Sequence, residues 1–205
     1  MTKILKFYNS SPNLRKLKEA ANFLEKGALI IYPTDTVYAI GCLMNQPKTL
    51  NKLANLQGVK LEKAMFSFFL KNFEELSKYV KPLDNPTFKL LKRCLPGPYT
   101  FILPSLKLSK PFNKRKSIGI RISNHPVLDA LLDFLSVPLI TASLHDQDKI
   151  IDYSTDPELI FDRWGSYIDL MLEDGYGGNI PSTVIDLCKG SGVVLRKGKG
   201  DLDLI

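Results

Sequence analysis

Along the chain, stretches with apolar residues at helical spacing alternate with short runs rich in β-branched and aromatic residues. Over residues 12–26, Leu14, Leu17, Ala20, Ala21 and Leu24 share one helical face and Gly27 closes the segment, which predicts a helix. Ala28 to Tyr32 is apolar throughout and predicts a buried strand that Pro33 stops. Three small oxygen-bearing residues follow, Thr34, Asp35 and Thr36, before Val37 and Tyr38 resume an apolar run. Residues 46–58 predict a second helix, with Pro47 near its start and Gly58 at its end. Residues 64–70 predict an interior strand, and 72–80 and 85–95 predict helices, the second stopped by Pro96-Gly97-Pro98.

Strands are predicted over 99–104 and 117–123 from their β-branched and aromatic content. The basic stretch joining them, residues 105–116, is expected to be an exposed connector. A helix over 125–135, a strand over 138–143, and a helix over 156–164 come next, the last capped by Asp156 with Pro157 at its first position. Short strands over 168–172, 182–188 and 192–198 complete the pattern. Strands and helices alternate without strict regularity, so the expected class is α/β, a twisted mixed sheet flanked by helices. No repeat or linker divides residues 1–205, and one domain is expected.

Composition narrows the classes. A chain of 205 residues, 44% hydrophobic and 24% charged, can bury a sizeable core. No apolar run approaches the roughly 18–20 residues that span a bilayer. The first twenty residues lack the apolar core and cleavage site of a secretory signal. Cys42, Cys94 and Cys188 are odd in number and far apart, which favours reduced thiols in a cytoplasm over a disulfide framework or a metal site. The net charge of +7 suits phosphate-bearing partners, nucleotides or RNA, and serves solubility equally well.

Chemistry is not concentrated in one motif. No G-x-x-x-x-G-K-[ST] loop is present, and the glycine-rich tail around Arg196 has the wrong spacing for one. With only His125 and His145, a histidine-based hydrolase or metal centre is not expected, and His125, next to Pro126, reads as a helix-entry residue. Several predicted strands instead end in hydroxylated or cationic residues: Thr34 and Thr36, Arg121, Thr141 and Ser143, and Ser182 and Thr183. Each alone is an ordinary turn or surface residue. Together they suggest a shared pocket, since ligands in α/β folds bind where rigid strands stop.

The ordered set "YPTDTVYAIG", "LPGPYTFIL", "GIRIS" followed by "HP", "PLITAS", "STVIDL" and "VVLRKG" resembles the YrdC/YciO family across nearly the whole chain. The wording at Leu61 to Phe68 and the Tyr176-Gly177-Gly178 stretch are more similar to the YciO branch. The resemblance implies an α/β domain whose twisted mixed sheet surrounds a large, basic, concave surface. It implies threonylcarbamoyl-AMP synthesis from L-threonine, bicarbonate and ATP, with Mg²⁺ accompanying the triphosphate. A separate transferase complex would then modify tRNA. On the matching positions it implies threonine contacts by Thr34, Thr36, Arg121, Thr141 and Ser182. Nucleotide contacts would fall to Thr100, Ser143 and Arg196, with Lys60 and Lys63 nearby. Two departures stand out: Gln57-Gly58-Val59 replaces the K-x-R of synthase members, and Ser143-Leu144-His145 replaces S-x-N. Phe68 stands where many members place a histidine. A double-stranded RNA- or tRNA-binding protein without synthase activity is therefore the alternative expectation.

Overall fold

The computed structural model describes residues 2–8, 10–144, 154–189 and 192–205. Its strands are β1 (Lys3–Lys6), β2 (Ile30–Tyr32), β3 (Ala39–Leu43), β4 (Ser67–Phe69), β5 (Tyr99–Pro104), β6 (Ser117–Arg121), β7 (Leu139–Ser143), β8 (Leu170–Glu173), β9 (Thr183–Asp186) and β10 (Val193–Arg196). The helices are α1 (Leu14–Glu25), α2 (Pro47–Leu56), α3 (Leu76–Tyr79), α4 (Asn85–Cys94), α5 (Pro126–Leu132) and α6 (Pro157–Trp164). Among the described residues the strands form one sheet in the order β1-β8-β2-β3-β7-β4-β6-β5-β9-β10, with parallel and antiparallel neighbours mixed.

Burial on both sides explains why the central strands read as unbroken apolar runs. Along β2, Ile30 and Tyr32 join a cluster with α1 and α5, while Ile31 points to a second cluster containing Leu50 and Leu53 of α2, Leu91 of α4 and Ile160 of α6. Asn13 caps α1 by accepting from the Lys16 amide at 3.1 Å, and Leu17, Ala20, Ala21 and Leu24 are the face it buries. Asp84 and Asp156 cap α4 and α6 in the same way.

Three elements differ from the sequence expectation. Strand β1 is the four-residue KILK, whose two apolar residues between lysines carry too little pattern to be read alone. The expected strand over 64–70 shrinks to β4, because residues 61–63 form a 3₁₀ turn that leads into it. The connector is pinned rather than simply exposed. Leu108 and Phe112 are buried, and the Phe112 ring meets Phe68 edge-on at 5.1 Å. Its lysines, with Ser109 and Asn113, remain exposed.

On α5, burial pushes the Asp129 carboxyl up to about 6, with Asp35 and Asp133 adding repulsion. A raised carboxyl binds its proton more tightly in the folded state, so this penalty grows as pH rises from about 4 to about 6. Asp129 is only half-buried, and solvent screening reduces the effect to about 1 kcal/mol. Urea unfolding of Asp129→Asn is expected to show that its stability relative to the wild type improves by that amount between pH 4 and pH 7.

Candidate functional site

Strands β3, β7, β4, β6, β5, β9 and β10, consecutive in the sheet, line one cavity of about 500 Å³. Register brings their side chains together. Ser67 stands between Thr141 and Gly119, Ala39 opposite Ser143, and Thr100 opposite Val184. At Gly119 a Cβ would approach Thr100 Cγ2 at 3.2 Å and Ser67 Oγ at 3.3 Å, so the glycine deepens the bed of the cavity. Farther along the same face, Leu43, Phe69 and Leu139 are covered by α1 and α5. Arg121 marks the boundary, its guanidinium 4.7 Å from the Phe69 ring centroid while it also lines the cavity.

The Thr34-Asp35-Thr36 loop holds that guanidinium. Arg121 Nη2 donates to Asp35 Oδ1 at 2.7 Å and to Thr36 Oγ1 at 3.2 Å, and both ion-pair side chains are about 95% buried. Thr34 Oγ1 donates to the Val37 carbonyl at 2.7 Å and accepts from the Thr36 amide at 3.1 Å. The Thr34 and Thr36 hydroxyls lie 3.0 Å apart, and with the Thr34 proton committed, Thr36 is the donor between them. The loop is braced from outside. Ser123 Oγ lies 3.4 Å from Asp35 Oδ1, and Lys199 Nζ donates to the Asp35 carbonyl at 2.6 Å. Gly178 packs so closely that a Cβ would fall 2.1 Å from the Thr36 carbonyl oxygen.

Burial lowers the Arg121 guanidinium below its ordinary value while Asp35 opposes the shift, and the group stays charged. Arg121 Nε and Thr141 Oγ1, both on cavity-lining residues, are buried without a partner of good geometry, and so is Asp35 Oδ2 beside them. The equally buried Tyr32 hydroxyl lies within reach of the Thr141 side chain, so what marks a place for a polar ligand is the set of cationic and hydroxyl-bearing residues that line the cavity. His125 precedes α5 as expected, but its side chain makes no cap. Its Nε2 lies 3.5 Å from Asp174 Oδ2, and burial lowers its affinity for a proton.

Of the residues expected from sequence, Arg121, Thr141, Ser182, Thr100, Ser143, Arg196 and Lys63 line the cavity. Thr100 and Ser182 hydroxyls meet at 2.8 Å, and Arg196 donates to the Ser182 carbonyl at 3.1 Å from Nε and 2.9 Å from Nη2. A bulge between Val194 and Arg196 turns both Leu195 and Arg196 toward the cavity. Thr34 and Thr36 do not line it. Their hydroxyls are spent on the loop and on Arg121, so they build the platform beneath the cavity. Lys60 is not among the lining residues either. Lys60→Ala is expected to change the unfolding free energy in urea by less than about 1 kcal/mol, because an exposed charge outside the cavity contributes little.

Gln57 and Val59 do face the cavity, so the wall where K-x-R would stand carries no cation from those two positions. On β4 the residue facing the cavity is Ser67, whereas Phe68 points into the opposite core, a consequence of strand alternation. His145 lies outside the described residues. Sequence reasoning missed Asp35 as the Arg121 partner and missed Arg115 entirely. The signal for Asp35 was present in its two flanking threonines. For Arg115 there was none, because it sits within a run of lysines.

The described helices include none long and apolar enough to cross a membrane. The family model Sua5/yciO/yrdC, described as "Telomere recombination", matches residues 22–198. YciO of Escherichia coli is 35% identical over 206 residues, covering 98% of each chain. The crystal structure of E. coli YciO superimposes with a TM-score of 0.91 over 100% of this chain and 99% of that one. A threonylcarbamoyl-AMP synthase of Marinobacter nauticus is 28% identical over 185 residues, 88% of this chain and 96% of its own. The P. abyssi Sua5 structure complexed with L-threonine shares the fold, with a TM-score of 0.85 at 23% identity, over 96% of this chain and 58% of that one. On the matched motifs, the mixed sheet and these likenesses together, the chain belongs to the Sua5/YciO/YrdC family.

Proposed function

We propose that this protein forms threonylcarbamoyl-AMP from L-threonine, bicarbonate and ATP, releasing pyrophosphate, as a step toward threonylcarbamoyladenosine in tRNA. The observation that carries the reading is a single cavity lined by four cations, Lys63, Arg115, Arg121 and Arg196, together with the side chains of Thr141, Ser143 and Ser182. That arrangement suits a small carboxylate with a hydroxyl or amine at one end and a phosphate chain at the other. Threonylcarbamoyl-AMP synthase relatives and the L-threonine complex of P. abyssi Sua5 support the same substrates.

In this reading the threonine carboxylate meets Arg121 Nε, and Thr141 bonds its amine or hydroxyl. The amine attacks bicarbonate carbon with loss of water, giving a carbamate. A carbamate oxygen then attacks the α-phosphorus of ATP, and the bond from that phosphorus to the bridging oxygen breaks as pyrophosphate leaves. Mg²⁺ enters as part of the MgATP substrate. In this reading Ser143 and Arg196 meet the α-phosphate, and the fixed Arg196 cation stabilises the charge that spreads over its oxygens. The test is incubation with ATP, L-threonine and labelled bicarbonate. Labelled adenylate with stoichiometric pyrophosphate is the expected result, and neither product at high enzyme concentration would overturn the proposal.

A second reading, binding of tRNA or double-stranded RNA, rests on the exposed lysines of the connector: Lys107, Lys110, Lys114 and Lys116. It predicts affinity that falls steeply as salt rises. No RNA retained at low salt would remove it.

A further inference from the structure

Resting on the reading that the cavity takes a nucleoside triphosphate, we propose that Arg115 is a positioning residue for its β- and γ-phosphates. Arg115 braces the turn that carries Lys63, so that Lys63 supplies the charge absent from Gln57 and Val59.

The contacts place Arg115 at the base of that wall. Its Nη2 donates to the carbonyl oxygens of Leu61, at 3.3 Å, and of Ala64, so it holds the turn on both sides of Lys63. The turn is otherwise secured by two short-range bonds, Lys63 N to the Lys60 carbonyl and Ala64 N to the Leu61 carbonyl. Arg115 is itself fixed. Its amide donates to the Phe112 carbonyl at 3.0 Å, and its carbonyl accepts from Ser105 Oγ at 2.8 Å. The guanidinium lies 5.2 Å from the Phe112 ring, and that ring is locked against Phe68 of β4. A rigid path thus runs from the sheet through Phe112 and Arg115 to the turn.

Charge points the same way. Among the described residues no carboxylate lies within ion-pair distance of Arg115 or Lys63, although both line the cavity. Burial lowers the Arg115 guanidinium, and among the described residues no acid offsets that shift. A desolvated cation facing a cavity with no protein counter-ion favours an anionic ligand, and a nucleotide's distal phosphates are the most highly charged part of the substrate. Lysine at position 115 would keep the charge, but its ammonium lacks the planar group that stacks on the Phe112 ring while Nη2 donates to both carbonyls.

The experiment measures ATP and AMP affinity by calorimetry at fixed ionic strength for Arg115→Ala, Lys63→Ala, the double variant and Arg115→Lys. Each single alanine variant is expected to weaken ATP about tenfold, one lost charge-assisted contact, while AMP stays within about twofold. The double variant should weaken ATP by little more than either single change, because both remove the same contact. Arg115→Lys should not restore affinity. Additive losses near 100-fold, equal losses for ATP and AMP, recovery by Arg115→Lys, or no loss at all would overturn the role. Lys63 is on the surface, so its variant keeps the ATP-against-AMP comparison available if Arg115→Ala folds poorly. In that case Lys63→Ala and Arg115→Lys must show the same ATP-selective loss. Adenylate synthesis that survives Arg115→Ala unchanged would overturn this role alone. The expected ATP pattern without any adenylate would overturn the reaction and leave the role of Arg115 standing.

Discussion

Arg121→Leu is expected to lower unfolding free energy by about 3–5 kcal/mol and to abolish most adenylate formation. The stability loss follows from what remains behind. Asp35 is about 95% buried, and without the guanidinium its carboxylate keeps only the Ser123 hydroxyl at 3.4 Å. The functional loss has a separate cause, because Arg121 is the cavity-lining cation that a threonine carboxylate would meet in the proposed reaction. Removing a fixed charge donor of this kind costs about 10²–10³ in rate. The double variant Asp35→Leu/Arg121→Leu separates the two effects. Replacing both members of a buried pair by apolar residues should recover most of the stability in urea unfolding. Adenylate formation, followed by pyrophosphate release, should stay as low as in the single variant. Recovery of both quantities together would mean that Arg121 acts only through folding.

Gly178→Ala is expected to reduce adenylate formation about 100-fold while costing only about 1–3 kcal/mol of stability. The glycine lies outside the cavity, yet a methyl group there would stand 2.1 Å from the Thr36 carbonyl oxygen. Backbone cannot yield as a flexible side chain does, so the Thr-Asp-Thr loop or the 174–178 segment has to move by about 1 Å, the scale of misplacement that costs roughly two orders of magnitude. Thr36 Oγ1 and Asp35 Oδ1 both hold Arg121 Nη2, so the displacement passes to the guanidinium. The 174–178 segment has its own anchors, since Tyr38 Oη donates to the Gly175 carbonyl at 2.8 Å and Gly177 N donates to the Thr155 carbonyl at 2.8 Å. Steady-state kinetics beside urea unfolding would check the prediction. A loss of activity no larger than the loss of folded protein would contradict it.

Much of this architecture is legible from residue pattern. The helical spacing of Leu17, Ala20, Ala21 and Leu24 marks the face that α1 buries. The unbroken apolar character of Ile30 to Tyr32 marks a strand covered on both sides. Arg121, Thr141 and Ser182 stand out because polar residues at the ends of apolar strands need a reason to be there. Other features were not legible for equally physical reasons. The brevity of KILK hides β1. Arg115 is one cation among several, and only the turn of the backbone after Phe112 aims it inward. Ser67 rather than Phe68 faces the cavity, because a shift of one residue along a strand exchanges its two faces.

The sequence by itself determined which faces are apolar, that Thr34-Asp35-Thr36 interrupts a buried run, and most of the helices and strands, though not β1 or β3. Those properties depend on periodicity and local backbone preference, and both are local. Only the tertiary structure decided that β3, β7, β4, β6, β5, β9 and β10 are neighbours, since their order in the sheet is not their order in the chain. It also decided that the Thr34 hydroxyl is spent within its loop and the Thr36 hydroxyl on Arg121, and that the connector delivers Arg115 to the cavity wall. A hydroxyl or guanidinium carries the same chemistry wherever it lies along the chain. Register, burial and the partner already bonded to it decide whether that chemistry is left for a ligand.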